Sequence, residues 1–166
     1  MTRATPALDF AGCHAHIRAL YDYWFDKCRG RQMPSRRDID PIEIPRPLLP
    51  GICLVDVVAD ERRYVYRLVG TADVEVRGCD PTGKSVVEGF FGPSAENALA
   101  SYDRVVATRA PFVDPTHFWA PTGRYVTEET IFLPLSDDGE NVNIVLVFSQ
   151  SRDLDSDLDL VRRDSQ

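Results

Sequence analysis

A chain of 166 residues with 43% hydrophobic and 27% charged residues carries enough apolar material for one packed core plus short extensions. Its formal net charge of -7 and its pI of about 4.9 argue against nucleic acid as a partner, because phosphate binding needs a basic footprint. No apolar run approaches the ~20 residues that cross a bilayer, and the first residues hold no signal-peptide core. Four cysteines (Cys13, Cys28, Cys53, Cys79) without a CxxC pair read as reduced thiols of a cytoplasmic protein.

Residues 1–12 read as a flexible arm. From residue 13 to 28 the apolar positions Ile17, Leu20, Tyr21, Trp24 and Cys28 recur at three- and four-residue steps, the spacing of an amphipathic helix. Its face is wide and aromatic, so the helix must dock on something. Gly30 ends it. Five prolines between residues 34 and 50 forbid a long helix and predict an ordered connector. Asp40-Pro41-Ile42-Glu43 has the form of a small capped turn, and Ile42, Ile44, Leu48 and Leu49 are the expected anchors.

Residues 52–58 and 64–70 predict two strands joined by a polar turn. Neither alternates cleanly between apolar and polar, which predicts a sheet covered on both faces. Thr71 is the expected cap of a short helix with Asp73 in its first turn, and Gly78 its stop. Asp80-Pro81-Thr82-Gly83 is a turn, and the pair Phe90 and Phe91 is expected to point inward. Residues 94–108 return to helical spacing, with Ser94 as cap and Ala95, Leu99, Tyr102 and Val106 as the stripe. Three strands close the chain: 112–119, which Pro115 marks as bulged or at an edge, then 125–135 and 142–150 around the turn Asp137-Asp138-Gly139. The tail from residue 151 is polar and acidic.

A hairpin, then GT-x6-G-x4-G-K, then a helix and a three-stranded meander resembles a PAS domain. The segment YVTEETIFLPLSDDGENVNIVLVFSQ is similar to the last two strands of that family and their DDG turn. The YW helix, the P-x-R-x-D-hydrophobic-D-P segment and RLVGT resemble one bacterial PAS subfamily. The resemblance implies an α+β fold, a five-stranded antiparallel sheet with small helices on one face and the N-terminal helix covering the other. On this division residues 13–50 precede a PAS core at 51–150, and 151–166 are the tail. The resemblance also implies a small molecule held between sheet and helices, dimerisation, and docking on a signalling partner.

Strand parity assigns faces within that frame. Tyr66 and Leu68 belong on the pocket side, and Val74, Phe90, Leu99, Tyr102 and Phe132 complete the expected ligand-binding lining. Arg67 falls on the opposite face, where Asp38 or Asp40 is the expected partner. Gly70, Thr71 and Gly83 are expected to hold the turns. Ile17, Leu20, Tyr21 and Trp24 are the expected dimer or partner residues.

No local pattern supports a metal or a covalent cofactor. His14 and His16 diverge on a helix, and His117 has no neighbouring ligand, so it reads as a core or rim histidine. Haem-binding PAS domains use a histidine that residues 94–108 lack. The stretch RGCDPTGKS holds Cys79 but not the Asn, Arg and Gln of flavin-binding relatives. GCDPTGKS matches a P-loop pattern but follows a short helix rather than a strand. The aspartates at 153–159 resemble a calcium loop that lacks its glycine. Tyr66, Tyr102, Glu128 and Glu129 could line a pocket and act as acid or base; the tyrosines read as amphipathic core residues and one glutamate as facing water. The expected function is a non-enzymatic sensory protein, homodimeric, that binds a small ligand or a signalling partner. The alternative is a small cone-shaped α+β enzyme with a buried acid or base.

Overall fold

The computed structural model describes residues 8–90, 94–119 and 125–153. Helix α1 (Ala15–Cys28) comes first. Strands β1 (Ile52–Val57) and β2 (Tyr64–Val69) follow the connector, then helices α2 (Thr71–Arg77) and α3 (Ala95–Thr108), then β3 (Phe112–Trp119), β4 (Tyr125–Leu135) and β5 (Ile144–Asp153). The strands form one antiparallel sheet in the order β2-β1-β5-β4-β3. This is the α+β arrangement expected from the sequence. The tail at 154–166 with most of its calcium-like spacing, residues 1–7 of the arm, Phe91 and the side chain of His117 lie outside the described residues.

Both faces of the sheet are covered, which is why β1 and β5 read as continuous apolar runs. On the back, α1 lies against β4 and β5. Ile17, Leu20, Trp24 and Cys28 are buried there. Trp24 Nε1 donates to the Pro134 carbonyl at 2.9 Å. Pro134 is tolerated inside β4 because β3 pairs only as far as Phe112 opposite Phe132, so no partner strand awaits its missing N–H. The N-terminal end of α1 is pinned as well. Glu129, buried, accepts from His14 N at 2.7 Å, placing a carboxylate beside the positive end of the helix. His16 Nδ1 lies 3.0 Å from Gln150 Oε1.

These contacts correct two expectations. Ile17, Leu20 and Trp24 face their own sheet and are closed to a partner; Tyr21 is only half-buried. Neither glutamate faces open water, because Glu129 sits under α1 and its neighbour Glu128 on the covered front.

The connector buries Ile44 and Leu48, and Met33 and Ile39 besides, but Ile42 is 92% exposed. Asp40 Oδ1 accepts from Ile42 N at 3.0 Å, and that tight turn aims the isoleucine outward. Asp38 caps its own turn: Oδ2 accepts from Ser35 N at 2.8 Å and pairs with Arg31 at 2.7 Å. The Ser35 N–H, with help from Arg31, holds its carboxyl down at about 2. Asp40 engages Tyr23 through its backbone. Neither aspartate reaches Arg67, which is exposed on the edge strand and pairs with Asp56 at 3.2 Å.

Arg67 is also the point where strand parity fails. Val55 pairs with Tyr66 but Leu54 pairs with Leu68, so β2 carries one residue more than β1 and bulges at Arg67. Each residue beyond the bulge changes face. Leu68 therefore leaves the pocket side and is 45% exposed.

The residue before α2 explains a glycine. Gly70, not Thr71, is the N-cap, and a Cβ there would stand 2.1 Å from the Pro50 carbonyl oxygen. Gly78 ends α2 in the left-handed conformation. The chain then returns along the open edge of β2: Gly83 N donates to Tyr66 O at 2.7 Å and Val86 N to Tyr64 O at 2.9 Å. Gly83 has φ +87, which suits the turn that delivers this segment. On the far side of the sheet, Pro115 sits in the edge strand β3, with unbroken pairing to β4.

Removing the wedge between α1 and the sheet tests this account. Trp24→Ala should lower unfolding stability by about 3–5 kcal/mol in urea titration, since it opens a cavity and strands the Pro134 carbonyl. A loss below about 1 kcal/mol would mean that α1 is not a structural part of the core.

Candidate functional site

The front of the sheet, α2 and α3 enclose a cavity of about 740 Å³, within the range of small-molecule sites. Parity and register build its floor. Phe132 on β4 shares a face with Val147 on β5 and Phe112 on β3. Two residues along, the cross-strand row is Asp114, Thr130 and Ser149; two further, it is Thr116 and Glu128. One end of the floor is thus aromatic and aliphatic, and the other polar and acidic.

Aromatic packing fixes the apolar end. Tyr64 stacks on Tyr102 at 5.0 Å, and Tyr102 meets Phe132 edge-on at 5.1 Å. Such pairs contribute about 0.5–1.5 kcal/mol beyond area burial. Burial raises the Tyr102 hydroxyl well above its ordinary range. Tyr64 donates to Asp103 on α3, and burial with that hydrogen bond pushes its pKa up to about 12.

A charged cluster from α2 forms one wall. Arg77 is nine-tenths buried and donates to the Gly89 carbonyl at 2.6 Å and towards Tyr66 Oη at 3.4 Å. Burial opposes its charge, but Tyr66 and Asp73 outweigh that, so it stays a cation. Its Nε lies 3.4 Å from Asp73 Oδ2 yet has no hydrogen-bond partner. The Cys53 thiol donates to Asp73 Oδ2 at 3.0 Å; burial, and then Asp73, push the thiol up to about 12, which keeps it protonated. On the polar floor, the Ser101 hydroxyl lies 3.2 Å from Asp114 Oδ2. Glu128 has its pKa raised, chiefly by burial and also by Asp73, with Ser149 and Arg77 opposing.

Of the seven expected lining residues, Tyr66, Phe90, Tyr102 and Phe132 line this cavity. Leu68 does not, because of the bulge. Val74 and Leu99 are half-buried beside it, outside the lining. On α2 the cavity is bordered by Ala72, Asp73, Val76 and Arg77, of which Val76 is exposed at its rim, and on α3 by Asn97, Ala98, Ser101 and Tyr102 among others; Val74 and Leu99 each fall one residue off these positions. Cys79 is exposed and also outside the lining. Sequence reasoning missed Asp73, Arg77, Asp114, Thr130 and Ser149, and offered Glu128 only as one possible pocket acid beside Glu129. Counting back in twos from Phe132 finds Thr130 and chooses Glu128 over Glu129; Asp114 needs the strand register. Among the described residues, no group of three or more His, Cys, Asp or Glu could hold a metal ion, and no helix is long and apolar enough to cross a membrane.

A five-stranded antiparallel sheet with a cavity beside helices on one face places the chain in a class of small α+β domains. The PAS domain family model matches residues 13–148, and the chain belongs to that family. No match appears among curated proteins. Among solved structures, the dark structure of the blue-light photoreceptor Aureochrome1 LOV is similar at 11% identity and TM-score 0.51, covering 76% of this chain and 96% of that one. A sensory box sensor histidine kinase from Vibrio cholerae is similar at 16% identity and TM-score 0.49, covering 61% and 80%. At these identities the likeness is one of fold.

The raised pKa of Glu128 fixes the sign of a pH effect. The folded state binds this proton more tightly than the unfolded state, so the stability it contributes is complete below the unfolded pKa. It is lost as pH rises through the folded pKa. Glu128→Gln should therefore raise the melting temperature at pH 8 and leave it unchanged near pH 3.5. Calorimetry that finds destabilisation at pH 8 would show that the carboxylate is satisfied by its neighbours.

Proposed function

We propose that this protein is a non-enzymatic sensory PAS domain whose front cavity binds a small molecule and whose N-terminal helix carries the response to a partner. The observation that carries this reading is the cavity itself, floored by three strands and walled by α2 and α3 in a chain of the PAS family. Strand alternation supports a route between the two faces. Glu128 and Ser149 face the cavity, while their chain neighbours Glu129 and Gln150 face α1 and contact His14 and His16. A tilt of β4 and β5 is felt on both sides. Family membership favours this over the small cone-shaped enzyme.

The proposal includes a cytoplasmic homodimer. Because Ile17, Leu20 and Trp24 are used within the chain, the dimer would use the outer side of α1. There Phe25 is 59% exposed and stacks on Tyr21, which packs on Phe10. Light scattering should give twice the chain mass at micromolar concentration, and Phe25→Glu should halve it. A wild-type monomer would remove the dimer from the proposal.

Native mass spectrometry tests the pocket. The purified protein should retain a small molecule, or gain one from cell extract, at one per chain. Thr130→Phe should abolish that adduct with the fold intact by circular dichroism. An adduct that survives Thr130→Phe would place the ligand elsewhere.

A further inference from the structure

The two long helices are capped by different chemistry. At the start of α3 the Ser94 hydroxyl accepts from Asn97 N at 3.2 Å. A serine cap does not titrate. At the start of α1 the N-cap is His14, and its ring takes the hydroxyl's place: Nδ1 accepts from His16 N at 3.1 Å. His14 therefore stands outside the helix, with extended backbone at φ -62 and ψ 143. Its ring lies beside that of His16, centroids 4.6 Å apart, and does not diverge from it as two helical positions would. Histidine is not among the residues that cap best. What it adds is a titration near neutrality.

The donor in this bond is a backbone N–H, so Nδ1 is the unprotonated nitrogen of a neutral imidazole. A second proton on the ring goes to that same atom. It turns the acceptor into an N–H that faces another N–H, and it sets a positive charge at the positive end of a helix. His14 is only half-buried, so the proton has access. The turn that depends on this cap covers apolar surface. Ile17 N donates to the His14 carbonyl at 3.0 Å, and the Ile17 side chain is fully buried. The His16 ring meets Phe148 edge-on at 6.5 Å.

We propose that His14 is an acid-sensitive cap: neutral, it closes the first turn of α1 on the sheet, and protonated, it releases that turn and uncovers Ile17. This does not depend on what the cavity holds. Glu129 faces His14 from β4, Gln150 lies beside it on β5, and Cys13 and His16 flank it in the chain. Thr127, opposite His117 and Arg152, is the next register position beyond Glu129 on that face. The Glu129 carboxylate eases charge onto the ring. It already accepts from His14 N, a bond that ring protonation leaves in place, so residue 14 stays tethered while the turn after it opens. Leu20 and Trp24 hold the rest of the helix.

The test is amide hydrogen exchange on the full chain, followed by NMR at about pH 7.5 and about pH 5.5, either side of the ordinary histidine range. Protection of the His16 and Ile17 amides should fall at least about 5-fold at the lower pH, the effect of losing a cap. The midpoint should track the His14 ring signal, with Val145 and Leu146 still protected. His14→Ser should keep the turn closed at both pH values, and His14→Ala should leave it open at both. Glu129→Gln, His16→Asn and His117→Asn should each keep the pH dependence. Equal protection of the wild-type amides at both pH values would overturn the proposal. So would a pH dependence that persists in His14→Ser or vanishes in Glu129→Gln, because the titrating group would then lie elsewhere.

Discussion

The docking of α1 on the back of the sheet is the constraint on which the rest depends. A five-stranded sheet with apolar residues on both faces cannot leave either face bare. The front is covered by short helices that stand off far enough to leave a cavity, and a cavity forgoes packing contacts. The back makes up that difference. Ile17, Leu20 and Trp24 fill it, and Trp24 takes the carbonyl that Pro134 leaves free. Dense packing behind the sheet is what allows loose packing in front of it.

Polar groups on the two faces are handled in opposite ways. On the back, Glu129 accepts from His14 N at the start of α1, and His16 meets Gln150. On the front, Asp114 takes the Ser101 hydroxyl and Glu128 the Ser149 hydroxyl, with Asp73 and Arg77 acting on Glu128 from α2, and the buried Arg77 Nε has no hydrogen-bond partner. Buried polar groups are normally satisfied in a surface that serves only stability. Residues at 128 and 129, adjacent in the chain and alike in type, thus have different surroundings: Glu129 anchors a helix, and Glu128 lines the cavity.

Most of the fold was legible because its signals are local. Helical spacing placed α1, Ser94 caps α3 by accepting from Asn97 N at 3.2 Å, and strand runs ended at glycine and aspartate turns. The site was less legible, and the reasons are physical. The bulge at Arg67 depends on how β2 pairs with β1, which no local pattern in YVYRLVG declares, and it moved Leu68 off the pocket. Ile42 was misread because apolarity suggested an anchor while an aspartate turn set its direction. Of the acidic floor only Glu128 was legible, as one of two neighbouring glutamates of which one faces the pocket. Asp114 and Glu128 meet only when β3 and β4 are placed in register.

The division of the cavity follows from that register and limits what it can recognise. The Phe112–Phe132–Val147 row offers dispersion and area without direction. The Asp114–Thr130–Ser149 row offers directed acceptors and hydroxyls, with Thr130 and Ser149 already joined at 2.9 Å. A wholly apolar ligand would bury Glu128 and Asp114 without a partner, a penalty that grows as water is excluded. The sheet that presents those two rows is the one whose reverse side grips α1, so β4 and β5 carry both the cavity floor and the contacts of the helix behind it.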